Sequence, residues 1–147
     1  MEGSRVSKLV RAQLHLNGWV AVLIGSFIVL DPAGMLASYG LQSELSAGLM
    51  SELRAPGGLL LVCGLAIVFC SSRPAMVHSG LLLSIMVYGA YGSVRLLAML
   101  IDGLPPVEIQ LAAAVEVGLC ALSAASLYNV QVRNQLALDG QGDSHDF

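Results

Sequence analysis

The sequence predicts an all-α membrane protein, a bundle of four transmembrane helices joined by short loops. Three observations lead to this fold class: the composition, four long apolar runs and the placement of the basic residues. Hydrophobic residues make up 56% of the 147 residues and charged residues only 12%, whereas a soluble domain carries about 25% charged residues. The mean hydropathy of +0.76 points the same way. The composition therefore favours lipid over water as the surroundings of the chain.

Each of the four apolar runs is long enough to cross a bilayer as a helix, which takes about 20 residues. The runs cover residues 12–30, 55–72, 74–101 and 107–129. The third contains Arg95 and the fourth tolerates Glu116. Asp31-Pro32 ends the first run, and a Gly/Pro turn at residues 102–106 separates the last two. This pattern predicts four membrane spans with short connections.

The basic residues predict the orientation of the spans. One side of the membrane would receive five of the seven basic residues, namely Arg5, Lys8, Arg11, Arg73 and Arg133. The loops on the other side, residues 31–50 and 102–106, contain no Lys or Arg. Because loops rich in Lys and Arg stay in the cytoplasm, we expect both termini to be cytoplasmic, in a bacterial inner membrane.

These boundaries predict three segments: a basic cytoplasmic N-terminus at 1–11, a membrane domain at 12–129 and a polar, disordered cytoplasmic tail at 130–147. The basic N-terminus and first apolar run also resemble a signal peptide. The apolar stretch is longer than the roughly 7–15 residues of a signal core, so an uncleaved helix is favoured. Cleavage stays open as the alternative.

The second helix is predicted to be extended or kinked. Residues 43–54 place Leu45, Leu49 and Leu53 on one helical face, which suits either an interfacial helix or an outward extension of the second span. Pro56 would kink such an extension. Gly57-Gly58 would then let another helix approach closely.

Small residues recur at four-residue spacing within the spans, which lets helices pack backbone to backbone in lipid. The pairs are Ala21 and Gly25, Gly80 and Ser84, Gly89 and Ser93, and Ala114 and Gly118. We expect them to hold the bundle together; the alternative is a dedicated dimer face.

The charged residues inside the spans are the most informative feature. At 1.5 Å per residue from the outer helix ends, Arg95 lies about 9 Å deep, Glu116 about 13 Å deep and Arg54 about one turn deep. All three belong to the same half of the membrane. An ionised side chain in lipid costs about 2.5–3.5 kcal/mol, so Glu116 should be protonated or paired with an arginine.

Helical spacing indicates which side chains join this cluster. Tyr88, Tyr91, Arg95 and Asp102 share one face of the third helix. Arg54 shares the close-packing face of Gly57 and Gly58. We therefore expect a core of Arg54, Arg95 and Glu116. Tyr88 and Tyr91 would extend it below, with Asp102 and Glu52 at its rim. Two alternatives stay open: the arginines reach the interface individually, or the charges pair for structural reasons only.

Other classes of site find no support in the sequence. Cys63, Cys70 and Cys120 lie in apolar runs without the spacing of a metal site, and we interpret them as packing residues. No motif indicates a cofactor, a metal ion or catalytic residues. With a net charge of −3 and no basic run, nucleic acid is an unexpected partner.

Several short motifs resemble a known family. They are Asp31-Pro32, Tyr39-Gly40-Leu41, Ser51-Glu52-Leu53-Arg54-Ala55-x-Gly57-Gly58, Arg95-Leu96-x6-Gly103-x-Pro105 and Glu116. The chain is similar over residues 14–128 to a bacterial four-helix membrane family, domain of unknown function 4345. The resemblance implies the fold and no activity. The family pattern commonly has an asparagine where Ser51 stands and an aromatic residue where Pro56 stands, so a ligand-facing polar group is missing and the second helix bends more.

Three functions are compatible with these features. The first is binding or moving a small amphipathic or lipid-like molecule at the charged cluster, where two arginines would suit a carboxylate or phosphate. The second is a non-catalytic accessory role beside other membrane-protein subunits, or as a homo-oligomer. The third, an intramembrane enzyme using Glu116 as an acid or base, is disfavoured because no nucleophile, histidine or metal set accompanies it.

Overall fold

The computed structural model describes the backbone of residues 2–41 and 46–142, with side chains at 8–41, 46–132 and 135. These residues form five α-helices: α1 (Glu2–Leu30), α2 (Pro32–Ser38), α3 (Ala47–Ser72), α4 (Val77–Asp102) and α5 (Val107–Gly142). A short 3₁₀ turn, Pro74–Met76, precedes α4. No strand occurs in the described ranges.

Four helical stretches are long and apolar enough to cross a membrane: Lys8–Leu30, Ala47–Ser72, Pro74–Asp102 and Val107–Val132. Large apolar side chains point outward along them; Leu100, for example, is 83% exposed and Leu9 is 71% exposed. A soluble protein rarely presents so much contiguous apolar surface, whereas lipid covers it without a penalty. The predicted fold class is confirmed: the chain is an all-α, multi-pass membrane protein.

The second spanning helix is extended, as one of the two predicted forms requires. The Ser46 hydroxyl accepts a hydrogen bond from Leu49 N at 3.2 Å and caps the start of α3. From there α3 runs without interruption through Pro56 to Ser72. Residues 46–54 are therefore part of the spanning helix itself. Leu45 lies outside the described residues.

The short helix α2 is absent from the prediction, which treated this segment as loop. Asp31 caps it by accepting a hydrogen bond from Gly34 N at 2.8 Å. Pro32 occupies the first turn, where its missing N–H has no helical partner to lose. The Asp-Pro pair that ends the first run thus also begins a new helix.

The last helix extends beyond its predicted end near Tyr128-Asn129. α5 continues to Gly142, so the predicted disordered tail is helical as far as that residue. The apolar run stops at the membrane boundary, but the following Gln, Leu and Ala residues are compatible with helix. The end of a hydrophobic run therefore marked the end of the span and not of the helix. Residues 143–147 lie outside the description.

α1 and α3 are antiparallel and pack backbone to backbone along two pairs of glycines. A Cβ built on Gly25 would lie 2.5 Å from Leu61 N and 2.8 Å from Gly57 O. One built on Gly64 would lie 2.7 Å from Val22 N and 2.9 Å from Gly18 O. Contacts this short leave no room for a side chain, and close approach of this kind is what small residues permit in membranes.

α4 and α5 are also antiparallel, and their register is fixed along most of the contact. Ser84 Oγ lies 3.0 Å from Ser123 Oγ, and a Cβ on Gly89 would lie 3.3 Å from Cys120 Sγ. One turn further, a Cβ on Gly92 would lie 3.0 Å from Val117 Cγ2. The Cβ of Glu116 would lie 3.5 Å from the same Cβ on Gly92, so Arg95, three residues further along α4, has Glu116 within reach of its long side chain.

A buried polar cluster ties three helices together at mid-bundle. Asn17 of α1 donates through Nδ2 to Ser84 Oγ on α4 at 2.8 Å and to Ser123 Oγ on α5 at 2.9 Å. All three side chains are fully buried. Ser123 Oγ also lies 2.8 Å from Leu119 O, so its proton goes to its own helix. The network fixes α1 against the α4–α5 pair.

Both ends of the described chain lie at one end of the bundle. Arg11 Nε donates to Ser71 O at 2.9 Å, which places the start of α1 beside the end of α3. Ser126 Oγ donates to Gln13 Oε1 at 2.7 Å, which places the later part of α5 there too. We call this the terminal end. The opposite end, with α2 and residues 103–106, is called the α2 end.

Candidate functional site

A cavity of about 330 Å³ lies among the four long helices towards the α2 end. Its apolar lining comprises Val20, Ala21, Ile24, Ile28, Leu60, Leu111, Ala112 and Val115. Its polar lining comprises Tyr39, Tyr88, Tyr91, Arg95, Glu108 and Glu116. The charged residues lie towards the α2 end with apolar Ile28 and Leu111 beside them, and Tyr88 lies deeper with Ala21 and Leu60. Charged, aromatic and apolar side chains thus share the cavity wall.

Arg95 and Glu116 form an ion pair on this wall. Arg95 Nε lies 3.1 Å from Glu116 Oε1, with which it hydrogen-bonds, and 3.0 Å from Oε2. The side chains are 27% and 13% exposed, respectively. The described side chains form no other ion pair. The packing of α4 against α5 allows it, because Gly92, one turn before Arg95 on α4, lies against Val117 and Glu116 of α5.

Two tyrosines of α4 line the cavity with their hydroxyl groups already bonded. The Tyr88 hydroxyl donates to the backbone carbonyl of Asn17 on α1. The Tyr91 hydroxyl donates to the carbonyl of Pro56 on α3 at 3.2 Å. Tyr88 is buried and Tyr91 half-buried. These bonds hold α4 against α1 and α3 and form part of the cavity floor and side.

Arg54 does not join the pair, although the sequence favoured its doing so. Its Nε donates to Val29 O at 3.1 Å. Val29 lies in the last turn of α1, where carbonyls have no partner within their own helix. The close approach of α1 and α3 brings that free carbonyl within reach, so Arg54 caps α1 and lies outside the cavity lining.

The two predicted rim residues differ in position. Asp102, at the exposed end of α4, lines a separate cavity of about 240 Å³ together with Arg95. Glu52 is exposed and lines neither cavity. The structure thus brings Tyr88, Tyr91, Arg95 and Glu116 together, places Asp102 next to them, and leaves Glu52 apart.

Two polar residues of the cavity lining were not predicted from the sequence to belong to the site. Glu108, at the start of α5, lies four and eight residues before Ala112 and Glu116, which also line the cavity. This i, i+4, i+8 spacing defines a helical face and is a signal by which Glu108 can be assigned to the site from the sequence. Tyr39 follows the short helix α2. No spacing rule predicts where such a loop residue lies.

Metal ligation has no support among the described residues, where no group of three His, Cys, Asp or Glu side chains could hold an ion. Cys63, Cys70 and Cys120 are free thiols. The chemistry that the cavity offers is therefore charge pairing, aromatic contact and apolar burial.

Comparison with known proteins supports the family resemblance and adds no activity. No curated protein and no solved structure matches the chain. The family described as Domain of unknown function (DUF4345) matches residues 9–127, a stretch that includes most of each spanning helix and every residue of the Arg95–Glu116 cavity. Since the match covers well over half of the chain, the protein belongs to this family of unknown function.

Proposed function

We propose that the protein binds, or moves, a small amphipathic molecule in the cavity beside Arg95 and Glu116. The observation that carries this proposal is one cavity with an apolar wall and a charged pair. Its volume of about 330 Å³ falls at the lower end of the range for small-molecule sites, about 300–1,000 Å³. The ligand would therefore be single-chained and short, or bound by part of its length.

The charged residues of the cavity lie nearer the α2 end than its deepest residues. Glu108 lies in the first turn of α5, at the α2 end, whereas Leu60 and Tyr88 belong to a buried cluster deeper in the bundle. A polar head at the charged side would thus lie nearer the membrane surface, with the tail pointing inward. Binding is favoured over catalysis because, among the described residues, the lining includes no His, Ser or Cys.

Filling the cavity tests this proposal without changing any charge. Ala112 lines the cavity, whereas Ala114, two residues away on α5, is exposed and outside it. Lipids and other amphiphiles that co-purify with the wild-type protein, Ala112→Phe and Ala114→Phe would be compared by mass spectrometry. We expect Ala112→Phe to lose a bound species that Ala114→Phe retains. Equal content in all three proteins would contradict the proposal.

The charged pair can be tested in the same assay. Arg95→Gln removes the cavity guanidinium, and Arg54→Gln removes an arginine at the same end of the bundle that lies outside the cavity. The bound species should decrease in Arg95→Gln alone. If Arg95→Gln and the wild type contained the same amount of the bound species, the charged pair would not be part of the binding site.

A second candidate function is a subunit of a larger membrane assembly, and the outer face of α5 favours it. Ala114 and Gly118 are exposed, and a Cβ on Gly118 would have no neighbour within 4 Å. Small residues of this kind allow close helix packing in lipid, but the rest of the described chain does not use them. Native gel analysis from mild detergent would support this role if the protein migrated with other subunits. Migration as a free monomer or small homo-oligomer would count against it.

A further inference from the structure

We infer that the polar head of the bound amphiphile carries a positive charge, as an amine or quaternary ammonium does. This inference rests on the proposed binding function and specifies its ligand class. The charges and the aromatic rings of the cavity contribute to it.

The charge balance of the lining is negative. The described lining contains one basic residue, Arg95, and two acidic residues, Glu108 and Glu116. Glu116 pairs with Arg95 at 3.0 Å. Glu108, an exposed residue in the first turn of α5, has no second basic residue in the described lining with which to pair. The sequence favoured an anionic head because two arginines were expected to converge at the site. In the structure Arg54 is bonded to Val29 O, so the site contains one arginine and not two.

Part of the hydrogen-bond donor capacity that an anionic head would require is already used. The hydroxyl protons of Tyr88 and Tyr91 go to backbone carbonyls of α1 and α3. Arg95 directs Nε to Glu116, whereas its terminal NH2 groups form no hydrogen bond with a described residue. By contrast, the carboxylate of Glu108 forms no hydrogen bond or ion pair with any described side chain, so it is available as an acceptor. The carboxylate attracts any cationic head electrostatically, and an amine head can also donate a hydrogen bond to it, whereas a phosphate or carboxylate head would be repelled.

The aromatic lining also favours a cation. Three of the four tyrosines of the chain, Tyr39, Tyr88 and Tyr91, line this cavity. Aromatic rings attract cations electrostatically, and cages of aromatic side chains with nearby carboxylates recognise ammonium groups. The rings come from two parts of the chain, the residue after α2 and the helix α4.

The surroundings of the cavity would guide a cation towards it. Among the described residues, the α2 end carries five carboxylates against Arg54 and Arg95; the acids are Asp31, Glu52, Asp102, Glu108 and Glu116. A cleft bordered by one sign of charge raises the local concentration of the opposite ion. Cationic amphiphiles in the adjacent leaflet would therefore encounter the cavity more often than anionic ones.

Binding of two probes with the same tail and opposite heads tests the inference. The full chain would be placed in nanodiscs of phosphatidylcholine, and binding of radiolabelled decyltrimethylammonium and decanoate measured by equilibrium dialysis. The Ala112→Phe protein, with its cavity filled, gives the background that comes from partition into the bilayer. Above that background, we expect the ammonium probe to bind at least about tenfold more tightly than decanoate, a preference of the size that one unpaired charge produces.

Variants of Glu108 test whether the cationic probe binds in the cavity. Glu108→Gln should weaken ammonium binding by about three- to tenfold. Glu52→Gln makes the same charge change at the same end outside the cavity and should alter binding less than about twofold. Glu108→Lys should shift the binding preference towards decanoate. A misfolded protein would lose binding of both probes, so this gain distinguishes a change of charge from misfolding.

The outcomes separate the inference from the function on which it rests. Preferential binding of decanoate, or equal effects of Glu108→Gln and Glu52→Gln, would overturn the positive head and leave the binding function standing. If neither probe bound above the Ala112→Phe background, the proposed binding function would itself fail.

Discussion

At the scale of single residues, Arg95 and Glu116 depend on each other. Either charge alone on the bundle wall would be poorly solvated, because inserting an unpaired charge into lipid costs about 2.5–3.5 kcal/mol on insertion scales. Their contact at 3.0 Å removes much of that penalty from both. Because Arg95 is 27% exposed, water or headgroups share in its solvation, and the pair contributes less than a fully buried one would.

Removing one partner should therefore be worse than removing both. Glu116→Gln leaves the Arg95 guanidinium without its counter-charge, and we expect a loss of about 1–3 kcal/mol in the free energy of unfolding. The double variant Arg95→Met/Glu116→Gln should recover part of this loss. Thermal unfolding in detergent measures both effects. Additive losses in the double variant would show that the two charges do not stabilise each other.

The pair shows what sequence reasoning can and cannot provide at this scale. The depth of Glu116 follows from its position along an apolar run, so its need for a partner was predictable. The choice of Arg95 over Arg54 was not, because it depends on the register of α4 against α5 and on a competing acceptor. That acceptor, Val29 O, is a backbone atom at a helix end, and a side-chain pattern does not reveal it.

The Asn17 cluster provides a second prediction about single residues. A double-mutant cycle between Asn17→Ala and Ser123→Ala should give a coupling of about 0.6 kcal/mol, the average for hydrogen bonds between membrane helices. Ser93 is a suitable control, because its hydroxyl bonds to Ala90 O within its own helix. Asn17→Ala and Ser93→Ala should be additive in thermal unfolding. A coupling with Ser123 no larger than that with Ser93 would contradict the network.

At the scale of helices, the closest contact is between α1 and α3, and glycines make it possible. Gly18 and Gly25 on α1 and Gly57 and Gly64 on α3 are each seven residues apart, a spacing that returns to the same helical face after two turns. Four-residue spacing of small residues in the sequence identifies Gly25, and the Gly57-Gly58 pair predicts the close approach at Gly57. The same spacing does not identify Gly18 or Gly64, and it favours Gly118 equally, although Gly118 has no neighbour within 4 Å. A small residue permits close packing, but only the neighbouring helix decides whether it is used.

Two glycines of α3 provide a matched test of this contact. In Gly64→Ala the new Cβ would meet Val22 N at 2.7 Å and Gly18 O at 2.9 Å. Backbone atoms cannot move aside singly, so the helices must separate, and we expect a loss of about 1–3 kcal/mol. In Gly58→Ala nothing lies within 4 Å, so stability should stay the same or rise by up to about 1 kcal/mol through helix propensity. Similar thermal stabilities for the two variants would exclude close packing at Gly64.

At the scale of the whole molecule, charge is distributed unequally between the two ends of the bundle. The chain folds so that the terminal end carries Arg11 and Arg73, whereas the α2 end carries most of the described carboxylates. Four antiparallel helices explain why both chain ends share a side. Because segments rich in Lys and Arg resist translocation, we predict that the terminal end faces the cytoplasm.

Cysteine labelling in intact bacterial cells tests this orientation. Leu104, at the α2 end, and Ala75, in the turn before α4, are both exposed, so a thiol at either position is sterically open to a reagent. We expect a membrane-impermeant maleimide to label Leu104→Cys in intact cells and Ala75→Cys only after permeabilisation, because the terminal end would face the cytoplasm. The wild-type protein serves as the control, since its three cysteines are buried or half-buried within spanning helices. Labelling of Ala75→Cys alone in intact cells would reverse the orientation, and the cavity would then open towards the cytoplasmic leaflet. Labelling of both would contradict an arrangement in which the two ends of the bundle lie on opposite sides of a membrane.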